Sequence, residues 1–262
     1  MAYTTIEVHK LGEVGKITLN RESARNAQNT ELLDELDDAF DFLERDEGVK
    51  VIVLAANGPH FSAGHDLREG AARRPNPTVE SRWVHEETKF FGYCLRIWDC
   101  DKPTIALVQG GCIAAGFMVA NMCDLIVASE SAYFSDPVVH TLSTASVEVL
   151  IHPWVMGLRK AKEMLFTGER LAAGEAHRIG LVNRVVPDAD LNAEGLALAQ
   201  QIAKAQPFAL KLTKRSLNRS LDVQGLRTAL NAHFDTHQLS HRTEEHMSKR
   251  RGGVDASLKK AG

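Results

Sequence analysis

The pattern of apolar and polar residues changes period several times along the chain. Residues 6–20 alternate around Gly12 and Gly15, which predicts a β-hairpin, whereas residues 29–44 place leucines and Phe40 at helical spacing. Continuous apolar runs, typical of strands buried on both faces, cover residues 49–57, 104–108 and 125–128. Helical patterns at 81–98 and 115–122 lie between them. The alternation of strands and helices predicts an α/β fold with mostly parallel strands.

Strands become rare after about residue 143. Helical patterns there cover residues 157–168, 191–207 and 208–222, and the tail from residue 225 is helical. We therefore divide the chain into an α/β core at 1–190 and a helical C-terminal region at 191–262. The charged, proline-bearing stretch 68–79 predicts a mobile loop.

Composition narrows the class of protein. Of the 262 residues, 44% are hydrophobic and 25% charged, and the net charge is −3, so no general basic surface for nucleic acid is expected. No apolar run reaches 18 residues and the start has no secretory pattern, which predicts a cytoplasmic protein with no membrane span. The four cysteines form no CxxC pair and are expected to be reduced thiols.

Two turns of small residues follow two of the buried strands. "FSAGHDL" comes after the first of these strands. "GGCIAAGFM" comes after the second and begins a helix, so that free backbone N–H groups of both turns are expected to face one cleft. Two such turns could form an oxyanion hole, in which one donor contributes roughly 3 kcal/mol to a transition state. Either turn alone is equally compatible with an ordinary tight connection.

The two turns, in this order and with these flanks, resemble the crotonase (enoyl-CoA hydratase/isomerase) superfamily. The similarity covers nearly the whole chain and includes "RESARNA" at 21–27, "FSAGHDL" at 61–67, and segments 102–129, 132–137, 160–187 and 197–218. It implies a crotonase-like spiral of ββα repeats with a helical C-terminal trimerisation region. The implied assembly is a homotrimer or homohexamer.

The resemblance also implies a substrate and site residues. The substrate would be an acyl-CoA thioester, whose oxygen becomes an enolate oxyanion held by the N–H groups of His65 and Ala115. Coenzyme A would be part of the substrate, with no separate cofactor and no metal. Positions that match the family's substrate-binding segments are Arg25, Ala27, Ala63, Asp66, Leu67, Gly111, Met118 and Val138. The basic tail residues Lys249 and Arg250 could reach coenzyme A phosphates, although a solvated tail is the favoured interpretation.

The sequence departs from the family at its two catalytic glutamates, which are Met118 and Val138 here. Family hydratases use these carboxylates as a general acid/base pair on one water. Because losing one such group costs 10²–10⁴ in rate, simple hydration is disfavoured. An apolar acyl pocket and ordinary core packing both explain the replacements.

Other side chains could move the proton. Candidates are Asp136, which could equally cap a turn or lie at an interface, His140, whose ordinary pKa suits proton transfer, and Glu148 in an apolar stretch. Asp66 is expected to satisfy nearby backbone amides. The imidazole of His65 could also face the substrate.

Histidines recur every four residues at His233, His237 and His241, a stripe that could bind zinc. A polar or interface face is favoured, because no acid completes the set at the usual spacing. Trp83, His85 and Glu86 match a helix that lines the family's acyl pocket, with open roles.

The sequence thus favours a crotonase-family enzyme of the enoyl-CoA hydratase/isomerase type that acts on an acyl- or enoyl-CoA thioester through an enolate. One alternative is a CoA-thioester decarboxylase, C–C hydrolase or thioesterase of the same family. Another is a catalytically silent acyl-CoA-binding protein.

Overall fold

The computed structural model describes residues 3–73, 77–141, 144 and 148–248. The predicted hairpin is present: β1 (Ile6–Leu11) and β2 (Val14–Leu19) pair antiparallel around Gly12, whose φ is +64°. A glycine suits this turn because a positive φ carries no Cβ penalty there.

The hairpin forms one edge of a six-stranded sheet. Its other strands are β3 (Val51–Ala56), β4 (Thr104–Val108), β6 (Leu125–Ser129) and β9 (Arg184–Val186). The order is β1-β2-β3-β4-β6-β9, and every pair after the hairpin is parallel. The apolar runs therefore correspond to central parallel strands, as the sequence predicts.

Both faces of this sheet are covered. Along β3, Ile52 and Leu54 face the main apolar core, whereas Val51 and Val53 face a smaller cluster formed with helix α10 (Leu191–Ala203). This double burial explains why the strand lacks apolar–polar alternation. Helix α10, the first helix of the predicted C-terminal region, thus packs against one face of this sheet.

A second row of strands completes a spiral. It contains β5 (Gly111–Ile113), β7 (Tyr133–Ser135) and β8 (Leu171–Ala172). Single parallel bridges, Ser62 with Cys112 and Gln28 with His65, extend this row towards the N-terminus. The turns predicted to carry chemistry therefore lie within this second row.

Helices fill the connections. They are α1 (Thr30–Arg45), α2 (Leu67–Arg73), α3 (Val79–Glu86), α4 (Tyr93–Asp99), α5 (Ala115–Met122), α6 (Val138–Thr141), α7 (Glu148–Met156), α8 (Leu158–Thr167), α9 (Ala173–Arg178), α11 (Pro207–Val223) and α12 (Leu226–Ser240). A π-helical segment, Glu87–Gly92, joins α3 to α4. The predicted helix at 81–98 is therefore interrupted by a change of helical period.

The structure corrects the prediction of a loop at 68–79. Helix α2 occupies its first part, and α3 begins at Val79, after Thr78 accepts a hydrogen bond from Ser81 N–H. On α2, Arg68 is exposed and Glu69 accepts a hydrogen bond from Thr30 N–H (2.8 Å), whereas residues 74–76 of the predicted loop lie outside the described residues.

Two further expectations concern membranes and thiols. Across the described ranges, every helix is too short or too polar to span a bilayer. All four cysteines lie in described, buried positions and form no disulfide. Burial raises the pKa of Cys100 to about 11 and of Cys123 to about 12, so both remain protonated thiols at neutral pH.

Candidate active site

The two small-residue turns pack directly against each other. A Cβ on Gly64 would lie 2.9 Å from the carbonyl oxygen of Ile113, and one on Gly116 would lie 2.6 Å from Cβ of Ser62. Gly64 also has a φ of +88°. Glycine is required at both positions because any side chain would force the turns apart.

The N–H of His65 points away from its strand neighbour. In the bridge with Gln28, Gln28 N–H donates to Gly64 O (2.7 Å) and Asp66 N–H donates to Gln28 O (3.0 Å). Because alternate peptide groups of a strand face opposite sides, the N–H of His65 faces the other way. Within the described ranges, no group accepts a hydrogen bond from it.

The second donor is Ala115, the first residue of α5. The preceding residue, Ala114, has a φ of +47°, a conformation that L-residues rarely adopt and that turns the chain sharply into the helix. The Ala115 N–H is one of the four helix-start donors without an intrahelical acceptor, and no described residue accepts from it. The amide of Gln28 donates to Ala115 O (3.1 Å), which fixes the orientation of this residue.

A loop before α1 supports the His65 turn. The buried amide of Asn26 donates to Asn57 O (2.9 Å) and His60 O (3.0 Å), and the Ser62 hydroxyl donates to Asn26 O (2.8 Å). These bonds hold the loop and the turn in one arrangement. Gln28 and Ser62 were not identified from the sequence as site residues, because their contacts join segments that are distant along the chain.

Several positions assigned to coenzyme A line this loop and turn. Arg25 is exposed with a φ of +52°, and its carbonyl accepts from Ala63 N–H (3.0 Å). Ala27 and Ala63 are half-buried, and Leu67 is exposed at the start of α2. All four residues are therefore at least partly accessible to solvent.

Asp66 and Gly111, two further positions that were predicted to bind substrate, have structural partners. Asp66 accepts from Glu69 N–H (3.1 Å) and pairs with Arg21 (3.0 Å), which confirms that it satisfies a nearby backbone amide. Gly111 N–H donates to His60 Nδ1 (3.0 Å). Both residues therefore stabilise the loops on which the donors lie.

Met118 and Val138 are packed in apolar surroundings. Met118 is 1% exposed and belongs to the main core, where it shares a narrow apolar cavity with Leu33 and Phe40. Val138 begins α6 and is 4% exposed. Neither position offers a group that could transfer a proton.

Asp136 is part of a fully buried polar chain. Its Oδ2 accepts a hydrogen bond from His152 Nε2 (3.0 Å), and His152 Nδ1 is 3.2 Å from Asn121 Nδ2. Oδ1 of Asp136 is 3.4 Å from the backbone nitrogen of Val138. The two ring nitrogens of His152 thus each face a side-chain partner, Asp136 on one side and Asn121 on the other. His152 and Asn121 thus give Asp136 partners that the sequence did not suggest.

The other two proton-transfer candidates lie elsewhere. The exposed His140 contacts Phe166 O through Nε2 (2.7 Å) at the end of α8. Glu148 begins α7, and its side chain lies outside the described residues, as do Lys249 and Arg250. The structure therefore does not bring Asp136 and His140 into contact.

The imidazole of His65 lies near the aromatic side chain of Phe90 and the ionisable side chain of Glu86. Its ring centroid is 4.0 Å from that of Phe90. Burial lowers the pKa of His65 to about 4, and the charge of Glu86 opposes this shift only in part. Burial alone would raise the pKa of Glu86, but His237 and Arg82 hold it well below its usual range. A neutral imidazole thus lies beside an ionised carboxylate.

Comparisons with known proteins agree with this geometry. The family model described as enoyl-CoA hydratase/isomerase matches residues 10–260. The Mycobacterium tuberculosis protein EchA13, named provisionally as an enoyl-CoA hydratase, is 41% identical over 258 residues, which cover 91% of this chain and 80% of that one.

Two solved structures are similar over most of the chain. A probable enoyl-CoA hydratase from Mycobacterium smegmatis is 48% identical with a TM-score of 0.85, covering 92% of this chain and 94% of that one. An enoyl-CoA hydratase/isomerase from Xanthobacter autotrophicus Py2 is 36% identical with a TM-score of 0.91, covering 98% and 97%. Together with the two packed turns and the spiral of strands, these similarities show that the chain belongs to the crotonase (enoyl-CoA hydratase/isomerase) superfamily.

Proposed function

We propose that this protein binds an acyl- or enoyl-CoA thioester and stabilises its enolate with the N–H groups of His65 and Ala115. The observation that carries the proposal is the close packing of the two turns, in which both N–H groups lack an acceptor among the described residues. Donors preorganised in this way stabilise an oxyanion without reorganisation during the reaction. Enoyl-CoA hydratases among the relatives support a thioester substrate.

The same site argues against hydration by two glutamates. Met118 and Val138 are apolar and buried, so no carboxylate at these positions can activate a water. Reactions of the bound thioester that need fewer proton-transferring groups fit this site better than fast hydration. They are isomerisation, decarboxylation or C–C hydrolysis through an enolate, and thioester hydrolysis through a tetrahedral oxyanion.

The donor at Ala115 can be removed by proline. Proline lacks an N–H and is well tolerated as the first residue of a helix. The measurement is the rate at which the substrate's Cα hydrogens exchange with deuterium in D₂O, followed by NMR for a panel of acyl-CoA thioesters. This exchange reports enolate formation directly. We expect Ala115→Pro to slow this exchange by about 10²–10³.

A matched control is Leu158→Pro. Leu158 is the exposed first residue of α8 and, like Ala115, follows a residue with positive φ, here Gly157 at +80°. Its exchange rate should equal that of the wild type, and circular dichroism checks that both variants fold. If folded Ala115→Pro exchanges as fast as the wild type, the proposed oxyanion hole is wrong.

The apolar residues at positions 118 and 138 also favour a second candidate, a silent acyl-CoA-binding protein. Saturable binding of acyl-CoA thioesters without Cα exchange or turnover would select it over an enzyme. Crotonyl-CoA hydration at a rate typical of hydratases would contradict both the binder and our argument from Met118 and Val138.

We also propose that the chain assembles as a homotrimer or homohexamer. Three large apolar side chains remain exposed along one face of α11, namely Phe208, Leu212 and Val223. An apolar surface of this kind is typical of an interface. Light scattering should give the mass of three or six chains, and a monomer at micromolar concentration would contradict the proposal.

A further inference from the structure

Three metal-ligating side chains converge between α3 and α12. Glu86 ends α3, His237 lies in the last turn of α12, and His241 follows that helix. Their ligand atoms all lie within 4.8 Å of one another, and all three residues are buried. The sequence offered no acid near the histidine stripe, because Glu86 comes from a distant part of the chain.

A hydrogen bond orients the ring of His237. Its Nδ1 lies 2.7 Å from the carbonyl oxygen of Thr144, which can only accept, so Nδ1 donates to it. The other ring nitrogen, Nε2, therefore faces Glu86 and is the atom that can bind a metal ion. An outer hydrogen bond that orients the ring in this way is typical of histidines that bind metals.

Nε2 of His237 faces a carboxylate oxygen of Glu86. Nε2 is 3.6 Å from Oε2 of Glu86, longer than a hydrogen bond, and Nε2 has no hydrogen-bond partner among the described residues. A proton on Nε2 would make this an imidazolium–carboxylate pair, and a metal ion that replaces this proton would bind both atoms. Two ligands of a tetrahedral zinc, each about 2.0–2.1 Å from the metal, lie about 3.3 Å apart, close to the observed separation.

The other two ligands also have room for a metal. Oε1 of Glu86 accepts from Arg82 (3.1 Å), which orients the carboxylate and leaves Oε2 for the metal. His241 is 6% exposed, and its Nδ1 has no hydrogen-bond partner in the described part of the chain. Its ring centroid is 4.5 Å from that of His237.

We propose that Glu86, His237 and His241 form a binding site for a divalent transition metal, with Zn²⁺ the best match to two imidazoles and one carboxylate. Three protein ligands leave a fourth position for water. The metal would connect α12 to α3, which already meet through Trp83 and Phe234 (ring centroids 5.0 Å apart). The nearby positive charge of Arg82 weakens the affinity relative to a closed four-ligand site.

This inference goes beyond the proposed function and does not depend on it. It also replaces the expectation, based on the spacing of histidines alone, that no metal binds. Binding is measured on the full chain without any acyl-CoA, so the failure of either proposal leaves the other standing.

The test is metal binding by the chelator-stripped, full-length protein. Dialysis against Zn²⁺ followed by elemental analysis should give one tightly held ion per chain. Co²⁺ should give visible d–d absorption that Zn²⁺ abolishes. Glu86→Gln and His241→Gln, which keep polar groups of similar size, should each weaken Zn²⁺ binding at least 10-fold.

The chain offers a matched control in His9→Gln. His9 and Glu7 form another histidine–glutamate pair at 3.6 Å, but it is exposed and lacks a third ligand. This variant should bind zinc as the wild type does. Thermal melting with and without Zn²⁺ gives a second readout, because only a protein with the site should gain stability.

Several outcomes would overturn the proposal. They are a wild type with no saturable Zn²⁺ binding, a folded Glu86→Gln that binds as tightly as the wild type, or equal losses in His9→Gln and His241→Gln. If a variant fails to fold, the Co²⁺ spectrum of the wild type is the deciding test. A spectrum identical to that of Co²⁺ in water, which is octahedral, would exclude coordination by two imidazoles and a carboxylate.

Discussion

His152 donates through Nε2 to Oδ2 of Asp136 across 3.0 Å, and both side chains are 0% exposed. A buried pair of this kind is costly to break, because the partner that remains keeps an unsatisfied polar group. We therefore expect Asp136→Ala to lower the free energy of unfolding by about 3 kcal/mol or more, measured by urea denaturation.

Glu175→Ala serves as the control for Asp136→Ala, because Glu175 pairs with Arg178 on the surface and should change stability little. A comparably small loss in Asp136→Ala would show that the buried pair is not structural. The Cα exchange rate per folded molecule is measured in parallel with Asp136→Asn. A large loss of rate without a loss of stability would give Asp136 a catalytic role.

Acidification should destabilise the protein through His65. Its folded pKa of about 4 lies below the ordinary 6.5, so the unfolded state binds more protons between these values. The titratable and charged groups facing it are Glu86, which opposes the shift, and His237, Arg82 and His85, which add to it. Stability is fully present above pH 6.5 and falls as the pH drops towards 4, by at most about 2 kcal/mol between pH 7 and 5.

The variant His65→Gln isolates this effect, because it keeps the backbone N–H and removes the titrating ring. Urea midpoints are compared at pH 7 and 5 in the presence of a chelator. The variant should lose less stability than the wild type over this interval. Equal losses would show that His65 is not the responsible group.

Gly116 should not tolerate even one methyl group. A Cβ there would meet Cβ of Ser62 at 2.6 Å, so Gly116→Ala must push the two turns apart. We expect a loss of 1–3 kcal/mol in stability together with slower Cα exchange, because the N–H groups of His65 and Ala115 no longer converge.

Gly174→Ala is the matched control for Gly116→Ala. Gly174 is likewise the second residue of its helix, α9, but a Cβ there meets nothing within 4 Å. Alanine should be neutral or stabilising by up to about 1 kcal/mol. If both variants behave alike in thermal melting, close packing of the turns is not what requires glycine at 116.

Met118 distinguishes core packing from an acyl pocket. Met118→Glu should cost several kcal/mol if the side chain lies in a dry core, because an unpaired carboxylate would be buried there. Met118→Leu, a change of similar volume, should cost less than about 1.5 kcal/mol. A stable Met118→Glu protein that gains crotonyl-CoA hydration would show instead that position 118 faces the substrate.

The sequence predicted those elements whose local pattern and tertiary setting agree. The strand at 104–108 and the helix at 115–122 have the predicted bounds, because an apolar run between Pro103 and a small-residue turn leaves little choice. The prediction of a loop at 68–79 was wrong in its first part, where the charged residues suggested a loop but helix α2 is present.

Contacts between distant segments limited the prediction of the site. The two turns could be identified because each carries its small residues together. Gln28, which orients Ala115 (3.1 Å), and Glu86, which meets His237, lie far from these partners along the chain. Residue spacing within one segment contains no information about such pairs, so the sequence shows no acid next to the histidines of α12.

The π-helical segment Glu87–Gly92 has a consequence for how this protein can change in evolution. A π segment carries one residue more than the α-helix it interrupts, and one residue corresponds to about 100° of helical rotation. Deletion of a single residue there would restore an uninterrupted helix and rotate α3 relative to α4. Such a deletion would turn Glu86 away from His237 without altering any ligand, so the helical phase of one connection determines whether this cluster exists.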